Sequence, residues 1–309
     1  MLELKELRNF VAVAERLNIT SAANSVNLSQ PALSRQIQAL ERKLGVALFE
    51  RIGKRLVLTA EGADLAAQAS ELLERAQDLV HRAARNEPEQ SGTLRVGASP
   101  QTISWLLSPA MARFRIVHPK VNLLVSEGNN DALVEMVEHG AVHMVIANLG
   151  ISNILVGQPL FAARLFAVLP PGHACSGLPN IEINAIADDP MMVMRRGFLT
   201  RHLFEQVAAA HGVRPRIVLE SDSTQTLAVL AQDGHGVAVV SSSARNIPEF
   251  RNAVRIRSDI CQATAEVSAL WNPKRYRPAY FSRFLETLID IARERGLSLG
   301  SEEQDQRSK

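Results

Sequence analysis

Cysteine is nearly absent: Cys175 and Cys261 are the only two in 309 residues. That is too few for a disulfide framework and lacks the paired spacing of a metal site, so both read as buried free thiols, with a redox switch as the alternative. Aromatic residues make up only 5% of the chain, and no run approaches the ~20 apolar residues of a membrane helix, which argues against any membrane partner. No apolar segment with a cleavage site opens the sequence; Met1–Phe10 instead interleaves Glu3 and Glu6 with Lys5 and Arg8, which predicts a cytoplasmic location. The signatures of α/β enzymes are missing too. There is no Gly-x-Ser-x-Gly elbow, no Gly-Lys-Ser/Thr phosphate loop and no Gly-x-Gly-x-x-Gly after a strand. His139 and His143 have the i, i+4 spacing of a metal pair, but Gly140 between them, at a helix end, breaks the geometry. Neither a metal nor a cofactor nor a catalytic group is expected.

What is present suits two or three globular domains, at 46% apolar and 21% charged residues. The net charge of +2 is unevenly spread. Residues 1–59 carry nine Lys and Arg (Lys5, Arg8, Arg16, Arg35, Arg42, Lys43, Arg51, Lys54, Arg55) against five Glu, a net +4 that leaves −2 for the rest. A small basic head on a mildly acidic body points to a polyanion for the head alone, although clustering of this size also occurs on ordinary solvated surfaces.

Within the head, Leu4, Leu7, Phe10, Val11, Ala14 and Leu17 share one face of a first helix. Asn18–Thr20 breaks the pattern, and a second short helix is expected at about Ser21–Val26. Ser29 is a good N-cap for a third helix with Pro31 in its first turn and Gly45 at its end. Leu33, Ile37, Leu40 and Leu44 form its inward stripe, while Pro31, Arg35, Gln38 and Arg42 face outward with Ser34 beside them. Arg matches guanine O6 and N7, and Gln matches adenine N6 and N7, so this face can read base edges; it can equally be solvated surface. Leu48–Thr59 then reads as two short strands around Gly53, with Arg51, Lys54 and Arg55 at or near the tip, a wing able to touch phosphates or enter the minor groove.

Ala22-Ala23, the run Ser29-Gln30-Pro31-Ala32-Leu33-Ser34-Arg35-Gln36-Ile37, Leu40-Glu41, Leu44-Gly45, Leu48-Phe49-Glu50-Arg51 and Leu58-Thr59 with Gly62 together resemble the LysR-type transcriptional regulators. The resemblance implies that Gln30, Pro31, Ser34 and Arg35 sit in the major groove and that the segment around Arg51–Arg55 is the wing. It implies as partners promoter DNA, a small-molecule effector, further copies of the chain as a dimer or tetramer, and RNA polymerase at the promoter.

Thr59 can cap a long connecting helix running to about Asn86, before Pro88, with Glu61 in its first turn. Leu65, Ala69, Leu72, Ala76, Leu79 and Ala83 form a heptad seam, widened by Ala66, Leu73 and Val80. A second copy is its natural partner; packing against the C-terminal domain is the alternative. Polar Asn86–Gly92 marks a boundary.

Beyond it, strands expected at Thr93–Ala98, Val121–Glu127, His143–Ala147, Leu165–Leu169, Met191–Val193, Arg216–Leu219 and Gly236–Val240 alternate with helical segments, which predicts two α/β lobes with a mostly parallel sheet. Thr93-Leu94-Arg95-Val96-Gly97, Phe114 with His118-Pro119, Glu127-Gly128, Gly140 and Gly234-His235-Gly236-Val237 are similar to the LysR effector domain, whose fold resembles periplasmic binding proteins. His143 and Ser241 depart from that pattern, where Asp and Pro are usual. Ligands of open α/β sheets bind beyond the carboxyl ends of the strands. Ser99, Gln101, Thr102, Asn129, Asn130, Phe198, Thr200 and Arg201 lie there and suit a carboxylate or another polar anion; the hydroxyls are equally explained as helix caps.

The expected fold is therefore multi-domain: an all-α winged helix-turn-helix head (1–59), a dimerisation helix (60–87), a hinge (88–92) and a two-lobed α/β effector domain (93–309). Lobe I comprises about 93–161 and 266–309, lobe II about 162–265. The expected function is sequence-specific DNA binding modulated by an effector. An α/β enzyme or ligand-binding protein using the helix-turn-helix to bind another protein is the rival.

Overall fold

A computed structural model describes residues 2–53, 55–83, 92–150, 152–244 and 248–295. The expectations for Lys54, Asn86 and hinge residues 88–91 fall outside the described residues. The chain forms two compact units, one built on Met1–Glu89 with His139–Ala141 and Lys274–Pro278, the other on Gln90–Glu138, Val142–Pro273 and Ala279–Lys309.

The first unit begins with α1 (Leu4–Arg16), α2 (Ile19–Ser25) and α3 (Gln30–Leu44). Helix α2 starts two residues earlier than its pattern suggests. The apparent break at Asn18 is its cap: Asn18 Oδ1 accepts the Ser21 N–H at 2.9 Å. Leu17 and Asn27 take positive φ to turn the chain. Strands β1 (Phe49–Ile52) and β2 (Arg55–Leu58) form an antiparallel hairpin, and α4 (Ala60–Ala83) follows for 24 residues, about 36 Å at 1.5 Å per residue. Leu7, Phe10, Val13, Leu33, Ile37, Leu40 and Leu48 are buried in one core. Each is worth roughly 1.5–3 kcal/mol of apolar burial, which is what holds the three short helices together.

The seam on α4 is divided by this core, which corrects the expectation of a continuous stripe awaiting a partner. Ala69 is only 2% exposed and Leu65, Ala66 and Leu73 pack beside it against the head, whereas Leu72, Leu79 and Val80 are 48%, 69% and 64% exposed. Ala76 is half-buried, and the side chain of Ala83 lies outside those described.

In the second unit β3 (Gly92–Ala98) leads through α5 (Pro100–Thr102) and a π-helical turn (Ile103–Leu107) into α6 (Ser108–Val117). Next come β4 (Val121–Glu127), α7 (Asn130–Glu138), β5 (Met144–Ala147) and β6 (Val156–Val168). Then follow β7 (Asn180–Glu182), β8 (Pro190–Met194), α8 (Leu199–Ala210), β9 (Arg216–Ser221), α9 (Thr224–Gln232), β10 (Val237–Ser241), β11 (Ala253–Arg257), β12 (Thr264–Trp271) and α10 (Phe281–Glu294).

Strand order is β4-β3-β5-β12-β6-β10-β8-β9, with β11 pairing β6 and β7. Pairing is parallel for β3 with β4 and β5 and for β8 with β9 and β10, as alternating strands and helices require, and antiparallel wherever β6 or β12 takes part. Strand β6 is far longer than the expected Leu165–Leu169, because its first half pairs with β12 and its second half with β10 and β11. Phe161 and Ala163 belong to one core with Trp105, Phe114 and Phe284; Leu165 and Ala167 belong to another with Phe204 and Val239. The chain passes between lobes there and returns between Ala263 and Val267.

Candidate functional site

Helix α3 turns Leu33, Ile37 and Leu40 inward and leaves Gln30, Pro31, Arg35, Gln38 and Arg42 exposed, with Ser34 half-buried among them. Ser29 Oγ accepts the Ala32 N–H at 3.4 Å and Gly45 closes the helix at φ 74°. Two links fix α3 against α1. The buried Asn9 donates from Nδ2 to Gln36 Oε1 at 2.5 Å, and Lys43 Nζ donates to both Glu6 oxygens at 2.8 and 2.9 Å. The Lys43 hydrogen bond holds the Glu6 carboxyl below its usual pKa, so the link is made by a charged pair.

The wing is held by residues for which sequence resemblance alone offers no reason. Glu41 Oε1 accepts the N–H groups of Leu48 and Phe49 at 2.9 and 3.2 Å, anchoring the entrance to β1 on the recognition helix. Thr59 Oγ1 donates to Ala47 O at 2.7 Å and accepts the Gly62 N–H at 2.9 Å, joining the hairpin to the start of α4. A Cβ on Gly62 would stand 2.0 Å from the Leu48 carbonyl oxygen, so only glycine fits. Arg51 and Arg55 are exposed near the tip beside Gly53 at φ 64°, and Ile52 between them is 66% exposed.

In the second unit a cavity of ≈ 50 Å³ lies between the two lobes. Six of the eight residues singled out from sequence line it: Ser99, Gln101, Thr102, Asn130, Phe198 and Thr200. The other two do not, for identifiable reasons. Arg201 is 3% exposed and faces away, donating to Glu205 Oε1 (2.7 Å), Glu220 Oε1 (2.7 Å) and the Met194 carbonyl (3.1 Å). Burial works against its charge, but the bonds to Glu220 and Glu205 raise its pKa, and Arg201 in turn lowers that of Glu220. Arg201 is therefore a strut of lobe II, which corrects its expected place in the ligand set. Asn129 caps α7, its Oδ1 accepting the Ala132 N–H at 2.9 Å.

Thr224, Ser241, Ser243 and Met194 also line the cavity, with Phe161 and Val267 on its apolar side. All four polar or sulfur-bearing residues lie at or just after the carboxyl end of a strand of lobe II, the same signal that pointed to Ser99 and Thr200. The lobes touch at its rim: Gln101 Nε2 donates to Thr224 Oγ1 at 2.6 Å, and the Asp131 N–H donates to Gly197 O at 3.3 Å. His143 Nδ1 accepts the Arg95 N–H at 3.0 Å and ties β3 to the approach to β5. Among the described residues no cluster of three His, Cys, Asp or Glu could hold a metal, and no helix is long and apolar enough to cross a membrane.

A basic winged helix-turn-helix joined to a two-lobed α/β domain with a polar interlobe cavity defines a ligand-responsive DNA-binding regulator. Family profiles agree: residues 4–63 match the bacterial regulatory helix-turn-helix of the lysR family, and residues 87–293 match the LysR substrate binding domain. The chain belongs to the LysR family of transcription regulators, and it is not an enzyme. It is 30% identical over 248 residues to the HTH-type transcriptional regulator CysB of Burkholderia cenocepacia, covering 79% of each chain. It is 29% identical to the HTH-type regulator YnfL of Escherichia coli, over 80% of this chain and 84% of that one. A full-length OxyR variant from Pseudomonas aeruginosa shares the fold at a TM-score of 0.74 and 24% identity, covering 95% of both chains. CbnR, solved in complex with its target DNA, does so at 0.63 and 24%, over 94% of this chain and 100% of that one. Regulators of this family bind promoter DNA and small effectors and form oligomers.

Proposed function

We propose that this chain is a cytoplasmic regulator that reads its operator through Gln30, Pro31, Ser34, Arg35, Gln38 and Arg42. The wing residues Arg51, Lys54 and Arg55 contact phosphate or the minor groove. A polar, anionic effector held by Ser99, Gln101, Thr102, Asn130, Phe198 and Thr200 biases that activity. The exposed part of α4, centred on Leu72 and Leu79, pairs with a second copy, so that two recognition helices meet half-sites about 34 Å apart, and the assembled regulator contacts RNA polymerase at the promoter.

The observation that carries the reading is the sidedness of α3: Leu33, Ile37 and Leu40 are buried while a surface of Gln, Pro, Arg, Gln and Arg is left open. Arg35→Ala, measured by fluorescence anisotropy on the operator and on operators changed one base pair at a time, is expected to weaken binding by roughly 1–3 kcal/mol and to relax preference at one position. Equal loss on every sequence would instead make Arg35 a phosphate contact.

A further inference from the structure

We infer that the effector of this chain is a compact oxoanion of at most about five non-hydrogen atoms and that the cleft rejects aromatic acids; this rests on the interlobe cavity being the effector site and adds its size and charge. The cavity measures ≈ 50 Å³. A water-sized centre needs about 10–15 Å³, so there is room for about three to five, whereas a cavity of about 150 Å³ is what accommodates benzene.

In the closed arrangement of the lobes the walls are tightly tied. Phe161 is 1% exposed and meets the fully buried Trp105 edge-on with ring centroids 4.8 Å apart, so its ring has nowhere to swing in a close-packed interior. At the rim, Gln101 and Thr224 are bonded directly at 2.6 Å, and the Asp131 N–H to Gly197 O bond at 3.3 Å ties α7 to the loop before α8. Gly197 sits so close that a Cβ there would stand 2.8 Å from Asn129 Nδ2. A small anion fits the closed arrangement as it stands, whereas an aromatic ring exceeds its volume.

The lining sets the charge. Among the described residues no Asp or Glu lines the cavity. Thr200 edges it, together with Ser99 and Thr102, whose hydroxyls are 3.0 Å apart, and Thr224, whose hydroxyl donates to Met194 Sδ at 3.4 Å. Helix α8, 12 residues long, opens into it at Leu199 and Thr200 with no side-chain cap from Phe198. The Thr200 hydroxyl, one hydroxyl of the Ser99–Thr102 pair and the backbone donors of the helix start, without a facing carboxylate, match an acceptor-only ligand whose negative charge sits at that start.

The test is isothermal titration calorimetry of the full chain with sulfate, phosphate, glycolate and benzoate, each repeated on Thr102→Val and Thr200→Val. Saturable binding of at least one of the three small anions, weakened tenfold or more by either substitution, with no heat from benzoate, is the expected result. Benzoate binding that the same substitutions weaken overturns the size limit and leaves the cleft as the effector site. Binding of any anion that neither substitution weakens overturns the cleft reading itself, and failure of all three small anions overturns the inference.

Discussion

Gly62→Ala sets two physical effects against each other with opposite signs. Gly62 lies in the first turn of α4, and helix propensity alone favours alanine by about 0.8–1.0 kcal/mol. The added Cβ, however, would stand 2.0 Å from Leu48 O and 2.9 Å from Leu48 C, against roughly 3.3 Å for a close C···O approach. The obstacle is backbone, and it is held from both sides: Leu48 N–H by Glu41, and Leu48 O by the Thr59 N–H at 3.1 Å. Overpacking of this kind costs about 1–3 kcal/mol, and losing the Thr59 bond adds about 0.5–1.5. The net expectation is a loss of about 0.5–3.7 kcal/mol, at least about 2 °C in the melting of the head. Displacement of β1 should also weaken operator binding. Scanning calorimetry of the full chain and anisotropy on operator DNA read the two effects separately. An unchanged or raised transition, with affinity intact, would refute the claim that steric exclusion at Leu48 outweighs propensity.

Replacing Leu72 and Leu79 together by Arg should halve the mass seen by light scattering, or reduce a tetramer to dimers, while leaving the melting of the head unchanged, since neither belongs to its core; an unaltered mass removes α4 as the pairing surface. Glu220 is held below the usual carboxylate range by its hydrogen bond from Arg201, so it contributes stability above about pH 4.5 that is lost as pH falls through its lowered folded value. Glu220→Gln should therefore flatten the acid limb of a melting-temperature profile below about pH 4.5, and an acid limb identical to that of the parent chain would show that the Arg201 bond contributes nothing to folding.

Local chemistry made the head readable. The stripe of Leu33, Ile37 and Leu40, the Ser29 cap and Gly45 all act within a few residues of one another, and the helix formed as they require. Glu41 and Gly62 could be noticed as part of a pattern, but their reason is a meeting with Leu48, which no spacing along the chain reveals. The seam on α4 shows a related limit: periodicity says that a face will be covered, not by what, and Leu65 and Ala69 are covered by the head itself. At the cleft, strand ends identified Ser99 and Thr200 because hydroxyls follow strands there. Arg201 misled because a cation near an expected anion site suggests contact; its i, i+4 partner Glu205 was visible in the sequence, but Glu220 reaches it only through the pairing of β8 with β9. The Gln101–Thr224 bond joins residues 123 positions apart and belongs to tertiary structure alone.

Strands β6 and β12 are laddered together from Val156↔Trp271 to Arg164↔Thr264, so the lobes are joined by a two-stranded ribbon and not by two separate threads. A ribbon bends readily across its flat face and resists shearing in its own plane, which leaves opening and closing as the easy motion and sideways sliding as the stiff one. Its single irregularity falls between Val267 and Ser268, and Val267 borders the cavity. A molecule lodged there presses on the one place where the ribbon is already creased.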